Sequence, residues 1–232
     1  MARWHPFKRS SEPEADFAEG RFEQARAGFV ARIAERQKHL QKRPDDVQLS
    51  VLIAGDLNNL GLCLGKLRRF NEAADALTGG ATIFEAAGPQ YRGLLAGTLQ
   101  TLAGALGEGG QLDRAMTISR EAVEVRRSQP ADIRPPAVRA NELARTLRMF
   151  AHARAEADAE LDEVRTALTE ALTLQMTALQ QQPGIEMINE VYTTELVQAR
   201  ILTKRGRVAD AQRLENLVRQ RHLDAMLTMM WR

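Results

Sequence analysis

Apolar residues recur along this chain at spacings of three and four positions, with polar residues between them. One such run leads from Phe22 through Ala25 and Phe29 to Ile33. These spacings place apolar side chains on one face of an α-helix. No stretch of useful length alternates apolar and polar residues in the manner of a half-buried strand. The pattern therefore predicts an all-α chain.

Residues that end helices or favour turns divide the periodic segments into pairs. The breaks fall at Pro44, Arg68-Arg69, Gly88-Pro89, Gly109-Gly110, Gln129-Pro130, Pro183-Gly184 and Gly206. A proline-bearing linker occupies residues 131–136, and residues 158–182 form an unusually long return helix. These breaks predict four to five helical hairpins.

Four of the turns share a local pattern in which an apolar residue stands three positions before an alanine. The pairs are Phe22 and Ala25, Phe70 and Ala73, Leu112 and Ala115, and Val208 and Ala211. The alanine steps are 48 and then 42 residues; a further 42 reaches Ala157, and 54 more reach Ala211. Such self-similarity indicates a repeat architecture. A small side chain at this position would let the two helices of a pair approach closely.

The best copy of the unit is Leu57-Asn58-Asn59-Leu60-Gly61, followed by Leu64 and by Phe70-Asn71-Glu72-Ala73. The copy from Leu99 to Ala122 is also good, the third keeps Leu143-Ala144, and the fourth carries Glu195 and Gln198 where apolar residues are expected. The N-terminal copy keeps its second helix only. The unit resembles the tetratricopeptide repeat (TPR) in its longer form of about 42 residues, as in kinesin light chains and many bacterial signalling proteins.

This resemblance implies an α-solenoid of antiparallel helix pairs wound into a right-handed superhelix. Residues 15–232 would form the repeat domain with a C-terminal capping helix, and residues 1–14 a flexible tail. In the family, the first helix of each pair lines a concave groove that grips an extended peptide. The positions carried over by register are Asn58, Asn59, Gln100, Asn141, Arg145, Arg148 and Arg200. Amides can donate to and accept from a peptide backbone, and arginine donates to carboxylates; as the alternative, the arginines are solvated helix positions.

The C-terminal segment is apolar and leaves two interpretations open. It contains Leu214, Leu217, Leu223, Met226, Leu227, Met230 and Trp231. These residues either cap the last repeat or form a surface for a partner, including a second copy of the chain. Two interpretations also remain for Trp4 and Phe7 in the tail. Either the tail is flexible, or these two residues dock on the body of the protein or on a partner.

Composition excludes several classes of protein. Lys and Arg number 32 against 30 Asp and Glu, so the net charge is only +2 and nucleic-acid binding is not expected. The single cysteine, Cys63, excludes an internal disulfide and, between Leu62 and Leu64, is expected to be a buried core thiol. Residues 1–16 contain no apolar core of the kind that a signal peptide needs, and the apolar window from Gly93 to Gly107 is too short to span a bilayer. We expect a cytoplasmic protein with no membrane partner.

Catalytic and metal-binding patterns are not evident either. The four histidines, His5, His39, His152 and His222, are far apart, and each is expected to be solvated. The glycine-rich run at residues 104–110 lacks the Lys-Ser/Thr ending of a phosphate loop and follows a helix, so helix termination explains it better. We expect no enzyme activity, no cofactor and no metal.

Together these observations predict a non-enzymatic adaptor that binds a protein or peptide in the groove of a TPR-like solenoid. One alternative is a regulatory peptide sensor that controls a separate effector chain. The other is a scaffold that self-assembles into a homo-oligomer through its C-terminal helix.

Overall fold

The computed structural model describes residues 12–129, 134–156 and 161–230. Regular structure in these ranges is helical throughout, which confirms the all-α prediction. The helices are α1 (Pro13–Ala18), α2 (Phe22–Lys42), α3 (Val47–Lys66), α4 (Phe70–Ala87), α5 (Arg92–Glu108), α6 (Leu112–Arg127), α7 (Pro136–Glu156), α8 (Leu161–Gln181), α9 (Ile185–Lys204) and α10 (Val208–Met230). The tail with Trp4 and Phe7, residues 130–133, Ala157 and Trp231 lie outside the described ranges.

Consecutive helices pack against each other as pairs: α3 with α4, α5 with α6, α7 with α8, and α9 with α10. A shorter pair, α1 with α2, precedes them. The expectation that the N-terminal copy keeps only its second helix is therefore wrong. Helix α1 begins at Pro13, whose fixed φ suits the first helical position, and it packs where Gly28 of α2 carries no side chain.

The chain divides into two compact units, one that ends at Gly88 and one that begins at Pro89. The first unit contains α1 to α4. Its core includes Ala25 and Phe29 of α2 packed against Cys63 of α3. The second unit contains α5 to α10. Its core joins α6, α7, α8 and α9 through Val123, Ala144, Leu147, Ala151, Val164, Leu168, Ala171, Val197 and Ile201.

Four of the helix-to-helix turns have one backbone geometry. The residues with positive φ are Gly20 at 77°, Arg68 at 59°, Gly110 at 79° and Gly206 at 74°. In each turn the next amide donates to the carbonyl five residues earlier: Arg21 to Asp16 at 2.8 Å, Arg69 to Leu64 at 2.9 Å, Gln111 to Leu106 at 2.8 Å and Arg207 to Leu202 at 2.9 Å. This pattern is the Schellman motif that ends many helices. Its recurrence explains why the turn signals in the sequence stay in register.

The small residues of the repeat are buried where the helices of a pair meet. Ala25, Ala73, Ala115 and Ala211 are each at most 2% exposed. Gly61 of α3 lies directly against Leu77 of α4, and a Cβ at Gly61 would stand 2.8 Å from Leu77 Cδ2 and closer still to its Cγ. A larger side chain at these positions would force the two helices apart.

Helix α3 is the one helix of the described residues that is long and apolar enough to cross a membrane, with a mean hydropathy of 1.4. It packs between α2 and α4, and its buried Asp56 forms ion pairs with Arg32 and Arg36 of α2. The Arg32 Nε donates to Asp56 Oδ1 at 2.9 Å. A core position between two helices accounts for the apolar composition of α3.

Helix α10 packs on α9 through a face that includes buried Ala211 and Val218. Its outer side leaves Leu217, Leu223 and Leu227 between 44% and 55% exposed. Helix α10 therefore completes the last pair and presents apolar side chains on its other side.

Candidate partner-binding face

In the second unit, the first helices of three successive pairs contact one another, α5 with α7 and α7 with α9. We call the surface that these helices form the first-helix face; it carries Gln100, Arg145, Arg148 and Arg200 together with Glu190. Four of these five residues are sequence-predicted site residues. Their side chains engage the neighbouring helix to very different extents, which decides which of them can meet a partner.

Gln100 of α5 is half-buried and bonded to the next helix. Its Oε1 lies 3.3 Å from the hydroxyl of Thr146 on α7, within hydrogen-bonding distance. Thr146 is only 1% exposed, and the same hydroxyl also lies 2.9 Å from the carbonyl of Glu142. Gln100 thus joins two repeats and has only part of its amide left for a ligand.

Arg145 and Arg148 of α7 hold one carboxylate of α9, that of Glu190. The Nε of Arg145 donates to Glu190 Oε1 at 2.8 Å, and the Nη1 of Arg148 donates to Oε2 at 3.0 Å. Burial acts to raise the pKa of Glu190, but the hydrogen bonds from the two arginines outweigh it and hold the pKa below its ordinary value. Glu190 is therefore ionised and binds α7 to α9.

The two arginines differ in what remains accessible. The side chain of Arg145 is 42% exposed and that of Arg148 only 14%. The Nη1 of Arg145 has no partner among the described residues, because Glu190 takes only its Nε and Nη2. Arg145 is thus held in place by Glu190 while one edge of its guanidinium faces solvent.

Arg200 lies further along α9 than the residue that Arg145 contacts. Arg145 binds Glu190, and Arg200 follows Glu190 by ten residues, about 15 Å along the helix. Arg200 is exposed and forms no ion pair with any residue in the described ranges. Two accessible guanidinium groups therefore stand on contacting helices of the first-helix face.

The predicted asparagines belong to both units. Asn141 of α7 is half-buried, and its Oδ1 is enclosed without a hydrogen-bond partner among the described residues. Asn58 and Asn59 lie on α3 in the first unit; both are half-buried, and neither side chain makes a hydrogen bond within the described residues. The hydrogen-bonding capacity of these two amides is left for another molecule.

No protein-family model matches the sequence, and no curated protein matches it. Solved structures do match. Two of them are structures of a candidate kinesin light chain from Podosopora anserina with nearly identical TPR-like repeats, one of them a single-residue variant. Each is 15% identical to this protein, and each match covers 90% of both chains, with TM-scores of 0.61 and 0.58. BtubC (BKLC) from P. vanneervenii shares 11% identity over 90% of this chain and 92% of that one, with a TM-score of 0.53.

The chain has the TPR-like repeat fold. The similarity extends over nine tenths of its length, so the degenerate copies in the second unit belong to the same series as the strong copy at Leu57 to Ala73. The resemblance drawn from the repeated motif is confirmed.

One residue that departs from the TPR-like pattern, Glu195 of α9, has a structural role that sequence reasoning missed. It accepts a hydrogen bond at 2.5 Å from Arg221 of α10, beside a stacked pair of rings, Tyr192 and His222, with centroids 4.2 Å apart. Burial raises the pKa of Glu195. A cavity of about 170 Å³ adjoins these four residues. The expectation that His222 is solvated is wrong, because its Nδ1 is buried.

Two further sequence predictions concern reactivity in this TPR-like chain. Cys63 is fully buried, and burial raises the pKa of its thiol to about 11, which confirms a core role. Within the described ranges, no three His, Cys, Asp or Glu residues converge in a way that could hold a metal ion.

Proposed function

We propose that this chain is a non-enzymatic adaptor that binds an extended segment of a partner protein on the first-helix face. The observation that carries the proposal is that Arg145 and Arg200, on two contacting helices of this face, both remain accessible. Arginine offers planar, bidentate donors to carboxylates, so the segment presents acidic side chains to this pair.

The ion pair behind Arg145 favours this role. Glu190 fixes the Nε edge of the guanidinium at 2.8 Å, so the side chain loses less conformational freedom when a partner binds than a fully solvated arginine would. Ordering a flexible side chain at an interface costs roughly 0.5–1.5 kcal/mol. Arg145 is therefore partly preorganised, whereas Arg200 is not.

The first unit contributes donors of another kind. Asn58 and Asn59 each carry an amide without an intramolecular partner in the described residues. An amide can donate to and accept from a peptide backbone at once, so α3 is expected to bind main chain rather than acidic side chains. Repeat proteins generally present extended surfaces of this kind to their ligands.

Site-specific photo-crosslinking in the native cell tests the proposal. Benzoylphenylalanine replaces Arg200 or Arg145 in one set of variants, and Arg165 in the control. Arg165 lies on the second helix α8, and its side chain is 75% exposed. We expect the same partner protein to be captured from positions 200 and 145 and not from position 165. Capture from all three positions alike, or from position 165 alone, would rule out the first-helix face.

A second function, self-assembly, is favoured by the exposed apolar side of α10. Leu223 and Leu227 are one helical turn apart and 53% and 44% exposed, so a second copy of the chain could cover them. Light scattering on the wild type and on a Leu223→Glu, Leu227→Glu double variant tests this. Self-assembly through α10 predicts an oligomer that dissociates in the variant, whereas equal masses for the two proteins exclude it.

A further inference from the structure

A mostly apolar cavity of about 340 Å³ lies between the α5–α6 hairpin and α7. We call it the anchor cavity. Its apolar wall includes Gly104, Gly107, Leu112, Ala115, Met149 and Ala153. All of these residues belong to the second unit.

The anchor cavity exists because α5 carries two glycines on the side that faces α7. Gly104 and Gly107 line the cavity together with Met149 and Ala153 of α7. A Cβ at Gly104 would meet nothing within 4 Å, and one at Gly107 would meet only Ala115 Cβ at 3.9 Å.

These glycines differ from Gly61, which is required because Leu77 packs against it. Glycine weakens a helix relative to alanine, and no residue in the described ranges, other than its neighbours in α5, lies within 4 Å of the place that a Cβ of Gly104 would take. This space can therefore hold part of a ligand.

The anchor cavity opens next to the residues proposed to bind the partner. Residues four apart on a helix lie on the same face. Gly104 is four residues after Gln100, and Met149 is four residues after Arg145. A segment bound at Arg145 therefore passes the mouth of the anchor cavity within about one helical turn.

The size and charge of the cavity indicate what enters it. A volume of about 340 Å³ is at the lower end of the range for small-molecule pockets and corresponds to roughly eleven water molecules. Its polar lining residues are Glu108, His152 and Glu156. Glu156 pairs with Lys204 at 2.5 Å, while Glu108 is exposed and has no partner among the described residues.

We propose that the anchor cavity receives one bulky apolar side chain, aromatic or long aliphatic, of the partner segment, with a lysine or arginine beside it that pairs with Glu108. This inference rests on the proposed function and specifies the partner: an acidic residue at Arg145, and an apolar residue followed or preceded by a basic one at the anchor cavity. Apolar anchors that fill a pocket contribute most of the affinity in many protein interfaces.

Two substitutions at one position test the proposal. Gly104→Leu extends a side chain into the cavity, whereas Gly104→Ala adds a single carbon and leaves most of the volume free. Both remove a glycine from a helix interior, so neither is expected to lower the melting temperature. The probe is a library of random dodecapeptides displayed on phage and selected on the full-length protein.

We expect the selected peptides to share a bulky apolar residue adjacent to Lys or Arg. Their affinity should fall at least tenfold for Gly104→Leu and less than threefold for Gly104→Ala. Peptides that bind Gly104→Leu as tightly as the wild type, yet lose affinity for Arg200→Ala, would overturn the anchor cavity and leave the proposed function standing. Peptides that bind Gly104→Leu and Arg200→Ala as tightly as the wild type would overturn both the anchor cavity and the proposed function.

Discussion

The contact between Gly61 and Leu77 permits a direct test of how the helices of a pair are held together. Gly61→Ala places a Cβ 2.8 Å from Leu77 Cδ2 and 3.0 Å from Cδ1, and closer still to Cγ. Leu77 is fully buried, so it has no free volume into which to move. The substitution should therefore push α3 and α4 apart.

A matched substitution in the same helix isolates the packing cost. Gly55 also lies within α3, but a Cβ there meets nothing within 4 Å. Both glycine-to-alanine changes gain helix propensity of about 1 kcal/mol, whereas only Gly61→Ala overpacks the crossing, at a cost of about 1–3 kcal/mol. We expect Gly55→Ala to stabilise the protein by about 1 kcal/mol. The Gly61→Ala variant should be less stable than the Gly55→Ala variant by about 1–3 kcal/mol.

Urea denaturation followed by far-ultraviolet circular dichroism measures both values, provided that the slope of the free energy against urea is unchanged. Leu77→Ala completes a double-variant cycle, because it removes the three atoms that a Cβ at position 61 would contact. Alone it should cost about 2–5 kcal/mol, and combined with Gly61→Ala the total should be about 1–3 kcal/mol less than the sum. Equal stabilisation by Gly55→Ala and Gly61→Ala, with additive behaviour in the cycle, would refute the proposed crossing.

Four further predictions concern stability. Arg68→Gly relieves the strain of a residue with a side chain at a φ of 59°, so it should stabilise the protein by about 1 kcal/mol. Gly110→Ala introduces the same strain in the equivalent turn and should destabilise the protein by a similar amount. Chemical denaturation measures both changes. Gln175 is fully buried, and neither of its amide atoms is hydrogen-bonded to a described residue. Gln175→Leu should therefore stabilise the protein by about 1–3 kcal/mol, and a lower denaturation midpoint would contradict this. Burial raises the pKa of Glu195, so the charge of this carboxylate disfavours the folded state at pH 7. Glu195→Gln should therefore raise the melting temperature at pH 7. The gain should shrink as the pH falls and the carboxyl of the wild type protonates. The pKa of Glu190 is lowered instead, so Glu190→Gln should lower the melting temperature at pH 7. This loss should shrink as the pH falls through the pKa of Glu190 in the folded protein. Thermal melts between pH 3 and 7 distinguish the rise expected for Glu195→Gln from the fall expected for Glu190→Gln.

The repeat could be predicted from the sequence because its determinants are local. At each of these turns a glycine, or Arg68 in its place, has a positive φ. An alanine five residues later lies at the helix crossing, as in the pairs Gly20 and Ala25 or Gly206 and Ala211. Both features are read directly from residue type and spacing. Helix α1 was missed because six residues make less than two turns and show no periodicity.

The candidate site depended on contacts that the sequence does not display. Arg145 and Glu190 are 45 residues apart, so only the packing of α7 on α9 shows that the carboxylate occupies part of the arginine. Gln175 is polar in sequence but lies on the buried side of α8, between Ala171 and Ala178. In both cases the residue type was known and its surroundings were not.

The partner affinity of Arg200→Ala tests the central claim most directly. Titration calorimetry compares the wild type, Arg200→Ala and Arg165→Ala with the partner recovered by crosslinking. A hydrogen bond to a charged group contributes about 1.5–3 kcal/mol, which corresponds to roughly a 10- to 100-fold change in Kd. We predict a loss of this size for Arg200→Ala, less than a twofold change for Arg165→Ala, and equal melting temperatures for the three proteins. Unchanged affinity in Arg200→Ala, or an equal loss in both variants, would contradict binding at the first-helix face.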